Sequence, residues 1–322
     1  MKITVLSGGI GGARFLRGLR EHVRASYGDD ASITAIVNTG DDMWLAGLRI
    51  APDLDSITYT LAGVNDEERG WGRIGETDRV SAELAAYGVG WPWFTLGDLD
   101  LGTHIARTSM LRDGHTLAEA EDRITARWPL GVRLIPMTND EVETRVVVSD
   151  GSSMHFQEWW TRHRAALPAQ AFLQTGLDSS TPAPGVLSAI ASADVVIFAP
   201  SNPVVSIGTI LGIPGIRDAV VAASAPVVGV SPIIGGAVVR GMADACLTAI
   251  GVATAADAVA AHYGSRVNGG VLDAWLVAEE DAALAPAVAA MGIRPSVVPL
   301  WMRDVPTSAA LAAATLAAAQ TP

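Results

Sequence analysis

The sequence predicts an α/β protein with a doubly wound, mainly parallel Rossmann-like sheet and an inserted mixed α/β lobe. Three observations predict it. The chain opens with an apolar run, Lys2–Leu6, a glycine-rich turn, a helix-compatible stretch, Ala13–Arg24, and a second apolar run, Ile33–Val37; this is a β-α-β unit. A second set of short apolar runs comes late, at Val195–Ala199, Val227–Val230, Val271–Val277 and Val297–Leu300, each followed by turn residues and then a helix-compatible stretch. A mainly apolar run such as Ile33–Val37 reads as a strand buried in a parallel sheet. The segment between the two sets differs, and seven of the nine tryptophans fall before residue 161, which sets the lobe apart from the core.

Within that middle segment, Ser56–Ala62, Thr77–Tyr87, His104–Leu111 and Leu117–Trp128 read as helices, and Leu134–Met137, Thr144–Val148 and Met154–Trp159 as strands. The polar stretch Leu177–Pro184 (LDSSTPAP) is the loop returning to the core. The expectation is one nucleotide-binding-type domain over 1–322, with its core at about 1–55 and 171–322 and the lobe at about 56–170. The Ala-rich tail, Ser308–Ala319, is expected to be a helix packed on the body.

A content of 49% hydrophobic and 17% charged residues describes a well-packed globule rather than a disordered chain. A net charge of −12 argues against non-specific nucleic-acid binding but leaves room for an anionic small ligand at a local site. The one cysteine, Cys246, lies in the apolar stretch Met242–Ile250 and reads as an inert buried thiol. The apolar start is too short for a signal-peptide core, and no strongly apolar run reaches the ~18 residues of a membrane span. A cytoplasmic protein without a membrane or nucleic-acid partner is expected.

Candidate function gathers at the strand ends. Ser7-Gly8-Gly9-Ile10-Gly11-Gly12 is not the dinucleotide fingerprint, because residue 14 is Arg where the third glycine would stand, and Asn38-Thr39-Gly40 replaces the ribose-binding acid after the second strand. Unpaired backbone N–H groups and the helix dipole at such a turn still attract an anion; the alternative is a turn that needs glycine for packing. Ala199-Pro200-Ser201-Asn202-Pro203-Val204-Val205-Ser206 leaves the third such strand, with Ser201, Asn202 and Ser206 as hydrogen-bonding groups, and Ser231–Gly236 leaves the fourth. Three such ends on one sheet converge on one crevice, as a nucleotide site requires.

Residues 38–56, NTGDDMWLAGLRIAPDLDS, place Asp41, Asp42, Asp53 and Asp55 within fifteen positions after the second strand. Crowded carboxylates repel, and Mg²⁺ is the usual remedy, held by one or two carboxylates plus phosphate oxygens. Against this, Asp serves turns and caps, and Asp53 after Pro52 would cap a helix starting near Leu54. Further on, in Gly97–Arg107, Asp98 and His104 offer proton chemistry and Arg107 a phosphate contact, or else form a capped helix with a solvated face. Trp44, Trp71, Trp91 and Trp93 suit either a flat ring ligand or the core. Zinc patterns, the G-x-S-x-G elbow and the Walker loop are all absent.

Taken together, SGGIGGARFLRGL, NTGDDMWLAGLRIAPDLDS, LGDLDLGTHIARTSMLRDG, HFQEWW, APSNPVVSIGTIL and SPIIGG resemble the 2-phospho-L-lactate transferase family of coenzyme F-420 biosynthesis, from residue 3 to about 245 and more weakly beyond. HFQEWW and NTGDD look most like its actinobacterial members. The resemblance implies a Mg²⁺-dependent phosphotransferase and a homodimer. The donor would be a three-carbon acid, lactyl or enolpyruvyl, activated as its diphosphoguanosine. The acceptor would be the ribityl hydroxyl of the deazaflavin Fo, GMP would leave, and (dehydro-)coenzyme F-420-0 would form. It further implies Asp42 and Asp55 as catalytic residues and Asp42 and Asp53 as metal ligands. Ser7, Gly8, Gly9, Gly11, Gly12, Ser201, Asn202, Pro203 and Ser206 would hold the donor, and Asp55, Trp44, Thr95, Asp98 and His104 the acceptor. Spacing leaves open which Asp holds metal and which faces the acceptor. A deazaflavin- or nicotinamide-binding oxidoreductase and a non-catalytic nucleotide sensor are the other readings of the same core.

Overall fold

The computed structural model describes residues 1–320. Its central sheet has seven strands: β1 (Lys2–Ser7), β2 (Ser32–Val37), β3 (Arg133–Pro136), β4 (Val195–Phe198), β5 (Val227–Val230), β6 (Ala274–Val277) and β7 (Arg294–Val297). Their spatial order is β3-β2-β1-β4-β5-β6-β7, and every pairing is parallel. The chain runs outward in one direction from β1 and then in the other from β4. The reversal falls between β1 and β4, the place where doubly wound sheets open a crevice at their strand ends.

Side-chain alternation along the strands divides the interior into two layers. Ile3, Val5, Val195 and Ile197 face one layer, which also takes Phe15, Leu16 and Leu19 of the Gly9–Tyr27 helix and Leu311 and Leu316 of the Val305–Gln320 helix. Leu6, Val196, Phe198 and Trp275 face the other. The Ala-rich tail is a helix packed on the body, as expected. It crosses the first helix closely at Gly18, where a Cβ would stand 2.3 Å from the Ser308 carbonyl carbon.

The doubly wound α/β reading holds, with four corrections. β3 lies inside the stretch 56–170 yet pairs with β2 as an edge strand of the core sheet, so that stretch is not wholly a lobe. β7 ends at Val297, where the last strand was expected to begin; Arg294, Pro295 and Ser296 make up its first three positions, so it carries no apolar run to mark it. The strand expected over Met154–Trp159 stops at His155, and the chain turns helically at Glu158–Arg162. Trp159 drives that turn: it is fully buried, and its Nε1 donates to the Leu167 carbonyl at 2.7 Å. Finally, the acidic segment contains an antiparallel hairpin, Met43–Leu45 with Leu48–Ile50, turning through Ala46 and Gly47 at positive φ.

The remaining lobe combines the helices Arg79–Ala86, Asp98–Arg112 and Leu117–Thr125 with a three-stranded antiparallel sheet of Ser153–His155, Glu143–Val148 and Ala169–Thr175. It stands over the strand ends at the reversal point. Among the described residues, no single helix is long and apolar enough to cross a membrane.

Candidate active site

The first loop is built by missing side chains. β1 ends at Ser7, Gly8 precedes the Gly9–Tyr27 helix, and Gly9 has φ +61°, a conformation that favours glycine. A Cβ on Gly8 would lie 2.6 Å from Asp53 Oδ2 and 2.8 Å from Ser206 Oγ, so glycine here admits both side chains to the loop. Gly11 and Gly12 instead serve packing: a Cβ would lie 2.4 Å from the Pro200 carbonyl oxygen at Gly11 and 2.1 Å from Ser7 Oγ at Gly12. The β4 loop clasps the first one, since Ser201 Oγ accepts from Gly8 N at 3.0 Å and donates to Gly8 O at 2.7 Å.

These loops border a cavity of about 850 Å³. Gly8, Gly9 and Gly11 line it from the β1 end, Ser201, Asn202 and Ser206 from β4, and Ser231 and Pro232 from β5. The Pro52–Ala62 helix contributes Asp53 and Asp55, and the lobe contributes Thr95, Asp100 and His104. Convergence of the three loops is therefore observed. Ser7, Gly12 and Pro203 are corrections: they are buried behind the loops and shape them without reaching the cavity. Asn202 reaches it, but its Oδ1 is spent capping the next turn, accepting from Val204 N and Val205 N at 2.9 and 3.2 Å.

Asp41 and Asp53 form the acidic centre on the cavity wall. The Asn38 amide spans them, 3.4 Å from Asp41 Oδ1 and 2.9 Å from Asp53 Oδ2. Burial, and then the charge of Asp53, holds the Asp41 carboxyl well above the usual range. Burial likewise lifts Asp53 to about 6, although hydrogen bonds from Asn38 and the Gly9 backbone oppose it. No cationic side chain is paired with either carboxylate among the described residues. Two desolvated carboxylates without a counter-charge are the donor set that a hard divalent cation fits.

Asp42, expected as metal ligand and catalytic residue, is a correction. It lies outside the cavity lining, fully buried, 3.3 Å from Arg49 Nη2. Burial pushes its carboxyl up to about 8 against the pull of Arg49. Asp53 is not a cap either: the helix begins at Pro52, and the preceding Ala51 offers no side-chain cap.

A second cluster stands on the lobe side. His104 is buried between two carboxylates, with Nδ1 3.5 Å from Asp55 Oδ2 and Nε2 3.3 Å from Asp100 Oδ1. Arg107 Nη1 lies 3.3 Å from His104 Nδ1. Tyr59 donates to Asp100 Oδ1 at 2.8 Å. Burial opposes ionisation of Asp100, but the His104 ring, Tyr59 and Arg107 outweigh it and hold the carboxyl below its usual value. Arg107 is a correction: it does not meet the cavity but is fully buried between Asp55 and Glu121. The ligand atoms of Asp55, Asp100 and His104 lie within 4.8 Å of one another. Arg107 already compensates Asp55 there, so this cluster suits proton handling better than Mg²⁺.

Two acceptor residues are also corrected. Asp98 turns away from the cavity and accepts from Thr77 N and Oγ1 at 3.0 and 2.7 Å, pinning the lobe loop. Trp44 projects from the outside of the hairpin and donates to Glu141 Oε1 at 2.9 Å. Trp71 and Trp93 do line the cavity, with Trp91 stacked on Trp93 at 4.7 Å. Trp160 and Trp301 line it too and were missed. Asp100 was also missed, although its i,i+4 spacing to His104 on a helix was a usable signal. Cys246 is inert as expected: burial pushes its thiol up to about 12.

Residues 3–298 match the model of the 2-phospho-L-lactate transferase CofD family. The chain belongs to that family. It is 58% identical to a phosphoenolpyruvate transferase of Thermobifida fusca, covering 98% of this chain and 96% of the relative. It is 56% identical to one of Streptomyces griseus, covering 97% and 96%. A Bacillus halodurans protein of the UPF0052 family has the same fold, with a TM-score of 0.64 at 17% identity and 98% of each chain covered.

Proposed function

We propose that this CofD-family chain transfers a phosphoenolpyruvyl group, or its 2-phospholactyl counterpart, from a diphosphoguanosine donor to the ribityl hydroxyl of the deazaflavin Fo. GMP would leave and (dehydro-)coenzyme F-420-0 would form. One observation carries the reading: a single cavity joins an uncompensated carboxylate pair and a glycine loop on one wall to a proton-handling cluster on the other. The names of the 50–58% identical relatives favour the enolpyruvyl donor.

In this reading Asp41 and Asp53 would hold Mg²⁺, which would supply neutralisation of diphosphate charge. The N–H groups at the start of the Gly9–Tyr27 helix hold phosphate oxygens. The acceptor lies along Trp93 and Trp71, aromatic faces that bind a flat ring at low entropic cost. Asp55 and Asp100 orient the ribityl hydroxyl. Its oxygen forms a bond to the phosphorus bearing the three-carbon acid, the bond from that phosphorus to the GMP oxygen breaks, and the hydroxyl proton passes to the Asp55–His104–Asp100 group. Arg107, paired with Asp55, holds that carboxylate in place.

The test is incubation with Fo, Mg²⁺ and either lactyl- or enolpyruvyl-diphosphoguanosine, with product mass as the readout. The two products differ by two hydrogens. A wild-type enzyme that forms neither product overturns the proposal.

A further inference from the structure

We propose that Arg14 and Arg240 form a two-guanidinium clamp that holds the donor's phosphates against the glycine loop. The proposal rests on the donor reading above and adds residues that neither the loop pattern nor the acidic segment indicates.

Arg14 lies one turn beyond Ile10 in the helix that the loop opens, so both face the same side. Arg240 follows the short hairpin of Ile233–Ile234 and Ala237–Val238, which β5 feeds. Gly235 and Gly236, at φ +59° and +70°, turn that hairpin and fold its second strand back toward the first loop. Both arginines line the cavity beside Ile10 and Gly11.

Their surroundings distinguish them from neighbouring arginines. Arg17, three residues on, donates to Glu67 at 2.7 Å, Arg69 pairs with Asp78 at 3.3 Å, and Arg49 pairs with Asp42. The Arg14 side chain makes no hydrogen bond or ion pair among the described residues, and Arg240 has only the Gly70 carbonyl, 3.4 Å from Nη2. Partial burial, and then the charge of Arg14, depresses the Arg240 guanidinium. The fold therefore brings two like charges together at the mouth of an anion-binding loop; the acid that acts on Arg14, Glu67, is already paired with Arg17. A phosphate group offers each guanidinium a bidentate, charge-assisted partner and removes their repulsion. The acidic pair and the arginines then divide the work: Asp41 and Asp53 require a cation, and the arginines take anionic oxygens directly.

Calorimetric titration of GDP and of inorganic pyrophosphate into wild type, Arg14→Gln and Arg240→Gln tests this, with Fo titrated by fluorescence and thermal melts confirming the fold. Each Gln variant is expected to bind GDP and pyrophosphate about tenfold or more weakly. Fo affinity should be unchanged. Arg14→Lys and Arg240→Lys should recover part of the loss and, being gentler, keep the test valid should a Gln variant unfold. In turnover the variants should raise the donor KM more than they lower kcat. Undiminished GDP and pyrophosphate binding in the Gln variants overturns the clamp even where wild type carries out the transfer. Lost pyrophosphate binding in variants of a wild type that transfers nothing supports the clamp and sinks the donor reading. Wild type that binds neither anion, or variants that lose Fo equally, also overturn the clamp.

Discussion

Replacing Asp53 by Asn should make the metal-free protein more stable and the enzyme inactive. The carboxyl rises from 3.8 to about 6 in the folded protein, through burial and despite two hydrogen bonds. At about 1.4 kcal/mol per pH unit, keeping it ionised in the fold costs about 3 kcal/mol at neutral pH. The sign follows from proton counts. Below about pH 4 both folded and unfolded chains are protonated at this site, so there is no penalty. Between about 4 and 6 the folded chain holds the extra proton and stability falls as pH rises; above 6 the penalty is complete. An amide of the same shape keeps one acceptor oxygen for these donors and removes the charge beside Asp41. For a chain of this length, about 3 kcal/mol corresponds to a rise of roughly 4 °C in Tm at pH 7.5 in EDTA. Adding Mg²⁺ should raise the wild-type Tm and leave the Asp53→Asn variant unmoved, while transfer falls by about 100-fold or more. A variant that is less stable in EDTA, or that keeps the Mg²⁺-dependent rise, refutes the assignment of Asp41 and Asp53 as the cation site.

Three further outcomes are expected. Gly11→Ala should cost about 1–3 kcal/mol in urea denaturation, because its Cβ would meet the Pro200 carbonyl oxygen at 2.4 Å; an unchanged midpoint would mean the loops are not held this closely. Glu121→Gln should lower stability by about 3 kcal/mol by leaving the buried Arg107 half-paired, and the Arg107→Met, Glu121→Leu double variant should lose less than the sum of its parts. Additive losses would count against a coupled buried pair. Fo should quench tryptophan fluorescence, and Trp93→Leu should raise the Fo KM with the donor KM unchanged, whereas Trp44→Leu should alter neither. Full quenching in each single Leu variant of Trp71, Trp93, Trp160 and Trp301 would place Fo elsewhere.

The five inner strands and the edge strand β3 were legible because each overlaps a mainly apolar run. β3 was found as a strand but assigned to the wrong body, since an apolar run does not state which strand it will pair with. β7 was misplaced because its residues, RPSV, form no apolar run. The family and the crevice were legible from motifs in order. The roles of individual acids were not, and the reason is local geometry.

Asp41 and Asp42 are adjacent, so a turn that brings one to the cavity sends the other inward. Which is which depends on the hairpin that follows. Met43 pairs with Ile50 and Leu45 with Leu48, and these residues pack under the lobe with Leu96 and Leu101, while Trp44 points outward. That register buries Asp42 beside Arg49, the partner of Trp44 across the ladder. Asp41 is left facing Asp53, which is brought from twelve residues away by the same hairpin. The hairpin itself rests on Ala46 and Gly47 at positive φ, and Ala gives no warning of that conformation in a sequence. A one-residue change in its register would exchange the two acids. The chemistry of this site is thus set by the pairing of two three-residue strands that contribute no side chain to it except Ile50.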